Sequence, residues 1–470
     1  MYLPINVAGG VYQHKSRPLS SQITRNFWPQ QQSGAGTSEY ILETFPGLKS
    51  FVTGSGADRG MFVHRGVLYK VTGTTLYSID RNGVVTTIGT ISGTARCIFD
   101  GLGSSLVIVT GGSVYEWDGS TLTLGTDVDF ESPDSVTVIN SQAIYDGDEG
   151  RFCTSDAGVP LSINALNYAA AESNADLLLR PYAFQQNVYM FGEHTTETWW
   201  NSGSGNPPFD RLEGGMIQTG LGAIHSVDKT DKVVYFLGDD LNVYRMAATG
   251  IESNFTPQPL LRAFTKFSKT DDAIGWCMNY QGQNFYTLKF PSENRTFCYP
   301  EGGQWFELSS TVYDVGPVAG RYRGNSYAFA YGKHLVADED GNILELDDET
   351  YTDSGDTIKR VRDLSPIHGG LISQPGKEIE LTQFRLVMET GVGLISGTVD
   401  PKIMLSYSLD GGRTFSTEQW GDVGELGDFQ TEVVWDGINA VGKSIDLRLS
   451  TSDPVYFSVH SAGVEIEVGI

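Results

Sequence analysis

Between about residue 57 and about residue 350 the apolar positions recur in short alternating runs, grouped into units of roughly 40 residues. One unit reads Gly66-Val67-Leu68-Tyr69-Lys70-Val71, then Leu76-Tyr77-Ser78-Ile79-Asp80, and turns on Asn82-Gly83. The next reads Leu106-Val107-Ile108-Val109-Thr110, then Ser113-Val114-Tyr115-Glu116-Trp117-Asp118-Gly119. Alternation of period two, bounded by Gly, Asn and Asp, describes strands joined by tight hairpins. Repetition at this spacing predicts a β-propeller, whose blades bury their faces only against their neighbours. Seven candidate blades fall near 57–93, 94–130, 133–176, 177–220, 221–262, 271–310 and 319–352; a count of six, merging the third and fourth, stays open.

From about Asp356 the spacing changes. Ile358-Lys359-Arg360-Val361-Arg362 and Ile379 to Val387 alternate as half-buried strands do, and Lys402 to Ser408, Thr431 to Trp435, Ser444 to Ser450 and Val455 to Glu467 follow with the same period. Such a set predicts a separate β-sandwich. The chain is therefore expected to be all-β in three parts: an N-terminal docking arm over 1–50, a β-propeller over 51–355 and a C-terminal β-sandwich over 356–470.

The first 50 residues are irregular, with Pro4, Pro18, Pro29 and Pro46, a Gln30-Gln31-Gln32 run and a Gly34-Ala35-Gly36 patch. They also carry Phe27, Trp28, Tyr40, Ile41, Leu42 and Phe45, too much apolar surface for a solvated tail. This arm is expected to dock, either by adding a strand to the last blade or on a neighbouring subunit. The nearest approach to a helix is Leu166 to Arg180, around Ala169-Ala170-Ala171-Glu172, expected as an insertion between strands.

With 56 Gly, 22 Tyr and only 19% charged residues, the composition suits a β-rich chain with many tight turns. A formal net charge of −25 argues against a protein that grips nucleic acid, because phosphate binding needs clustered Lys and Arg. It is compatible with a surface that lets DNA pass, and equally with plain solubility. The acidic turns at Asp146 to Glu149 and Asp338 to Asp340 are the candidates to face such a passage. Cys97, Cys153, Cys277 and Cys298 stand far apart, without metal-type spacing, and are expected as buried thiols. The N-terminus lacks the pattern of a signal peptide, and no apolar run reaches the length of a membrane span, so a soluble protein made in the cytosol is expected.

Ser408-Leu409-Asp410-Gly411-Gly412-Arg413-Thr414-Phe415 has the form of an Asp-box hairpin, whose Asp caps turn amides and whose aromatic packs beneath; a structural role is expected. Counted as a calcium loop from Asp338, the sixth position is Ile343 where Gly is needed, so a hairpin tip is expected there. Glu193-His194 lies near Glu197 without a nucleophile or third partner. Thr198-Trp199-Trp200 would serve as a sugar-stacking platform or, as expected here, pack between blades. No paired-histidine metal motif, nucleophile elbow or phosphate loop occurs. Accordingly no catalytic, cofactor-binding or metal residue is assigned, and no enzyme activity is expected.

Read in order, Tyr2-Leu3-Pro4-Ile5-Asn6, Phe45-Pro46-Gly47, Arg59-Gly60, Leu68-Tyr69-Lys70-Val71, Val114-Tyr115-Glu116, Asp118-Gly119, Phe191-Gly192 and Thr196-Glu197 resemble the packaged-DNA stabilisation proteins of short-tailed phages. These are the tail hub or nozzle of the Salmonella podophage type, and the likeness returns at Leu405-Ser406 and Asp410-Gly411. It spans most of the chain, and the order of short motifs carries it. It implies a non-enzymatic virion protein, made in the host cytoplasm, that forms a hexameric ring below portal and adaptor. Such a ring extends the DNA channel, helps to retain packaged DNA without binding it specifically, and meets a tail needle or plug and a tailspike or fibre. The chain opens almost directly on Tyr2-Leu3-Pro4, without a longer leader, so whether it meets the adaptor in the family's way stays open. The rival reading is a carbohydrate-binding or sialidase-like propeller. It lacks the clustered arginines and Tyr-Glu pair that a sialidase site requires.

Overall fold

The computed structural model describes residues 2–13, 15–16, 20–32, 40–171, 176–247, 250–252, 255–392 and 400–468. Pro18, Gly34-Ala35-Gly36 and Glu172 lie outside the described residues. Four-stranded antiparallel sheets follow one another along the chain, each a meander of neighbouring strands. The first takes Asp58–His64, Val67–Thr72, Thr75–Ile79 and Val85–Thr90. Its hairpin at Asn82-Gly83 is held by Asp80, whose Oδ1 accepts from the amides of Asn82 and Val84, both at 2.8 Å. Gly83 takes the φ of +79° that this turn requires.

The second sheet takes Ile98–Leu102, Ser105–Thr110, Ser113–Trp117 and Leu122–Leu124; the third takes Val136–Ile139, Gln142–Asp146, Arg151–Asp156 and Val159–Ala170. The fourth and fifth begin at Leu178–Phe184 and Asp228–Lys229, and a further four-strand run begins at Ile274–Tyr280. The last, Gly324–Ala330, Lys333–Asp338 and Ile343–Asp347, is completed by Gly47–Val52 from the other end of the propeller. This closes the ring, and Tyr331 seals the seam by donating to the Ile79 carbonyl of the first sheet at 2.6 Å. Both faces of a sheet are covered by its neighbours, so Ser105–Thr110 is buried along its whole length.

Leu166 to Ala170 is strand, not a helical insertion: Ala170, Ala169 and Tyr168 pair with Arg151, Phe152 and Cys153. An alanine run has helical propensity, but the open edge beside it offers backbone partners and wins. The α-helix among the described residues is Gln258–Phe264, with Pro259 in its first turn.

The C-terminal part is a two-layer β-sandwich. One layer orders Val433–Gly442, Ile379–Met388, Ser458–Val468, Tyr40–Thr44 and Phe27–Gln31, with Tyr2–Ile5 also on Ser458–Val468. The other orders Arg360–Asp363, Ser444–Thr451, Lys402–Ser408 and Gln419–Asp422. Ile379, Leu381, Phe384, Ile403, Leu405 and Leu447 fill the space between them.

The described strands of the N-terminal 50 residues dock within this chain. They are shared between propeller and sandwich, and of the two placements open from the sequence the closing strand is realised at Gly47–Val52. Phe27 and Leu42 enter the sandwich core, while Trp28 and Phe45 pack on Phe285 of the propeller, with ring centroids 5.0 and 6.3 Å apart. Thr24–Arg25 lies between Phe306–Glu307 and Arg360–Asp363, parallel to one and antiparallel to the other. One ten-stranded sheet therefore runs from propeller into sandwich. Buried Glu307 ties this junction, paired with Arg25 at 2.9 Å and with Arg295 on its other oxygen. Burial works against its charge, but Arg295 and Arg25 outweigh burial and hold its carboxyl below the usual range.

Candidate functional site

The first strand of every four-strand unit contributes to one cavity of about 330 Å³. Met61, Phe99, Thr137, Tyr182, Asp228, Trp276 and Tyr327 come from the seven first strands in turn, so this cavity lies on the propeller axis. Most of its lining comes from the leading part of those strands or the loops before them, which places it at the end where they begin. A second cavity of about 520 Å³ shares Lys229 and Tyr327 and continues to Asn279 and exposed Phe329. Lys229 and Tyr327 therefore divide the axis.

The wall of the first cavity is charged. Arg96, Arg180 and Lys229 face Asp100 and Asp228, with His225 between strands. Asp100 accepts from the amides of Gly101 and Val138, each at 2.7 Å, and Asp228 from those of Lys229 at 2.8 Å and Cys277 at 2.6 Å. Burial pushes both carboxyls up despite these bonds. Burial, then the fields of Arg96 and Arg180, hold His225 well below its ordinary value, so its imidazole is neutral at pH 7. Tyr182 lies under two cations, 5.1 Å from the Arg180 guanidinium and 5.2 Å from Lys229 Nζ. Sequence reading missed this set, since its members are spread over three blades that stand far apart in the chain. The available signal was the recurrence of a charge within the apolar first strand: Asp58, Asp100, Arg180 and Asp228.

The motifs singled out from the sequence take local roles. Asp410 accepts from the amides of Arg413 and Thr414 and from Thr414 Oγ1, which together hold its carboxyl far below the usual range, while Phe415 lies 3.7 Å from the Arg448 guanidinium. Asp338 is buried and caps its own hairpin through Asp340 and Asn342. Asp146 is buried too, accepting from Ser135 N at 2.7 Å, and burial raises it to about 6. These two carboxylates are spent on turns; Asp148, Glu149 and Asp340 remain exposed. Trp199 packs on Phe152 of the preceding sheet, centroids 5.0 Å apart, and donates to Glu197 at 2.8 Å, while Trp200 is exposed. His194 reaches Asp239 at 3.2 Å on the surface, away from buried Glu197. All four cysteines are free and buried. Among the described residues no group of three metal-ligating side chains occurs, and no helix is long and apolar enough to cross a membrane.

Solved structures of similar shape include a streptogramin B lyase, at 12% identity and a TM-score of 0.44 over 64% of this chain and 97% of that one. BamB from Moraxella catarrhalis follows at 11% identity and 0.38, over 69% and 97%. The WD40 propeller domain of Doa1 gives 10% identity and 0.41, over 64% and 97%. Likenesses this distant carry nothing about activity. No curated protein matches the chain in sequence. Two family models do: the β-propeller of bacteriophage P22 Gp10 over residues 1–351 and the β-sandwich of the same protein over 367–467. The first takes in the N-terminal strands that close the propeller and enter the sandwich, and the second begins beyond Arg360–Asp363. The chain therefore belongs to the bacteriophage P22 Gp10 family of phage tail hub and stabilisation proteins, structural components of the virion tail.

Proposed function

We propose that this chain is the tail hub, or nozzle, of a short-tailed phage, assembling as a hexameric ring below portal and adaptor. In this reading the ring lengthens the DNA channel, helps to keep the packaged genome inside, and anchors a tail needle or plug and tailspikes or fibres. The observation that carries it is the succession of both family matches, in order, through propeller and sandwich. Physical features support it. The junction strand Thr24–Arg25 and buried Glu307, paired with Arg25 and Arg295, weld the two domains, as a ring subunit under load requires. A net charge of −25 lets DNA pass without the counterion release that would hold phosphate to the wall. Burial of Trp199 and the turn-capping role of Asp410 give structural work to two of the features behind the carbohydrate reading.

The test is a phage lacking this gene product. Expected are heads that fill with DNA and then lose it, and, in wild-type particles, a ring of this chain in a reconstruction below the portal. Stable, DNA-filled infectious particles without the protein would overturn the reading. The purified protein is also expected to leave duplex DNA unretarded at physiological salt.

A further inference from the structure

The leading end of the propeller axis presents more hydrogen-bond donors than its own acceptors engage. Arg180 gives one N–H to the Ile224 carbonyl at 2.6 Å, and its buried Nε has no partner. Arg96 gives one to the Asn325 carbonyl at 3.0 Å; its carboxylate neighbour Asp58 stands 4.0 Å away and is shared with Lys70 at 3.8 Å. Lys229 gives one of its three N–H groups to the Ala183 carbonyl at 2.9 Å. The facing carboxylates, Asp100 and Asp228, are occupied by backbone amides rather than by these cations.

A buried N–H without an acceptor is costly even where carboxylates stand nearby, and a forked guanidinium with unengaged N–H groups matches the oxygens of a carboxylate or phosphate. A metal ion would offer these N–H donors no acceptor. Arg96, Arg180 and His225 all line this cavity. Neutral imidazole keeps one N–H to donate. A space of about 330 Å³ admits a small ion and excludes a nucleic-acid duplex.

We propose that the leading end of the axis is a binding site for a small oxyanion, a carboxylate or a phosphate, seated among Arg96, Arg180 and His225, with Lys229 completing the cationic wall. It would act as an ionic plug that holds the seven first strands together. This does not rest on the tail-hub reading.

The full chain is melted in rising citrate, in rising inorganic phosphate, and in chloride at matched ionic strength. A bound anion raises the melting temperature along a saturating curve, whereas excluded-salt stabilisation rises without saturation and equally in every variant. Saturation in the citrate arm identifies a carboxylate site, and in the phosphate arm a phosphate site. Arg180→Gln is expected to abolish the saturating component, and Lys229→Met, at an exposed residue, to weaken its midpoint several-fold. Should Arg180→Gln fail to fold, Lys229→Met decides. A wild-type chain without saturation in either arm, or a midpoint unchanged in Lys229→Met, would overturn the proposal.

Discussion

Asn26 and Ser309 hold each other by two exchanged bonds: Asn26 Nδ2 donates to the Ser309 carbonyl at 3.0 Å, and the Ser309 amide donates to Asn26 Oδ1 at 2.9 Å. Asn26 Nδ2 also reaches Ser309 Oγ at 3.0 Å and the Lys359 carbonyl at 2.8 Å, so one side chain joins the N-terminal strand, the propeller and the entry to the sandwich. Its φ of +55° is one that Asn tolerates better than most residues.

Asn26→Ala removes these bonds in a buried setting and strains the backbone, so a loss of about 3 kcal/mol is expected. Asn26→Gly should recover about 1 kcal/mol by relieving φ alone. Calorimetry of the alanine variant should also separate sandwich from propeller melting. A single unshifted transition would show that the junction is held elsewhere.

Removing residues 1–40 deletes Tyr2–Ile5, Thr24–Arg25 and Phe27–Gln31 while sparing the closing strand Gly47–Val52. The propeller should stay closed, but the sandwich loses strands on Ser458–Val468 and Tyr40–Thr44 and the core side chain Phe27. Limited proteolysis is expected to cut the sandwich first and to leave a resistant propeller fragment. Equal resistance of both parts would contradict the shared-strand account.

Trp199 and Trp200 are neighbours with opposite fates. Trp199→Ala empties a buried site against Phe152 and removes the indole bond to Glu197, and should cost about 3–5 kcal/mol. Trp200→Ala, at an exposed position, should lie within about 0.5 kcal/mol of wild type. Denaturant titration distinguishes them; a large loss at Trp200 would mean that its face is covered.

Glu339 accepts from Arg321 at 2.8 and 2.5 Å and from the buried Lys289 ammonium at 2.8 Å. Burial acts to raise its carboxyl, but these partners bring it down from the ordinary value of 4.5 to about 2. A carboxyl lowered on folding stabilises fully above 4.5 and loses that contribution as pH falls toward 2. Glu339→Gln should therefore cost about 1–3 kcal/mol at pH 7, discounted for its partial exposure. The gap to wild type should close as pH falls through this window. A gap independent of pH between 7 and 3 would assign the loss to packing instead.

Local pattern was enough to define the strands. In Leu68-Tyr69-Lys70-Val71 and Leu106 to Thr110 the alternation and the turns around them depend on near neighbours in the chain, and the observed hairpins keep that reading. The Asp-box behaves likewise, because Asp410 bonds only within its own turn. The seam between the domains is different. Apolar content in residues 27–45 required burial, yet a short strand with apolar side chains pairs with any open edge of suitable register, and only the assembled sheets offered those edges. Buried charge was equally a tertiary matter. Lys70 sits inside a strand of ordinary pattern, but stacking of the last sheet on the first covers both faces and forces its ammonium onto the Gly341 carbonyl at 2.6 Å. The axial cations arise in the same way: sequence sets charges in or just before the first strands, and ring closure brings strands far apart in the chain to a common axis.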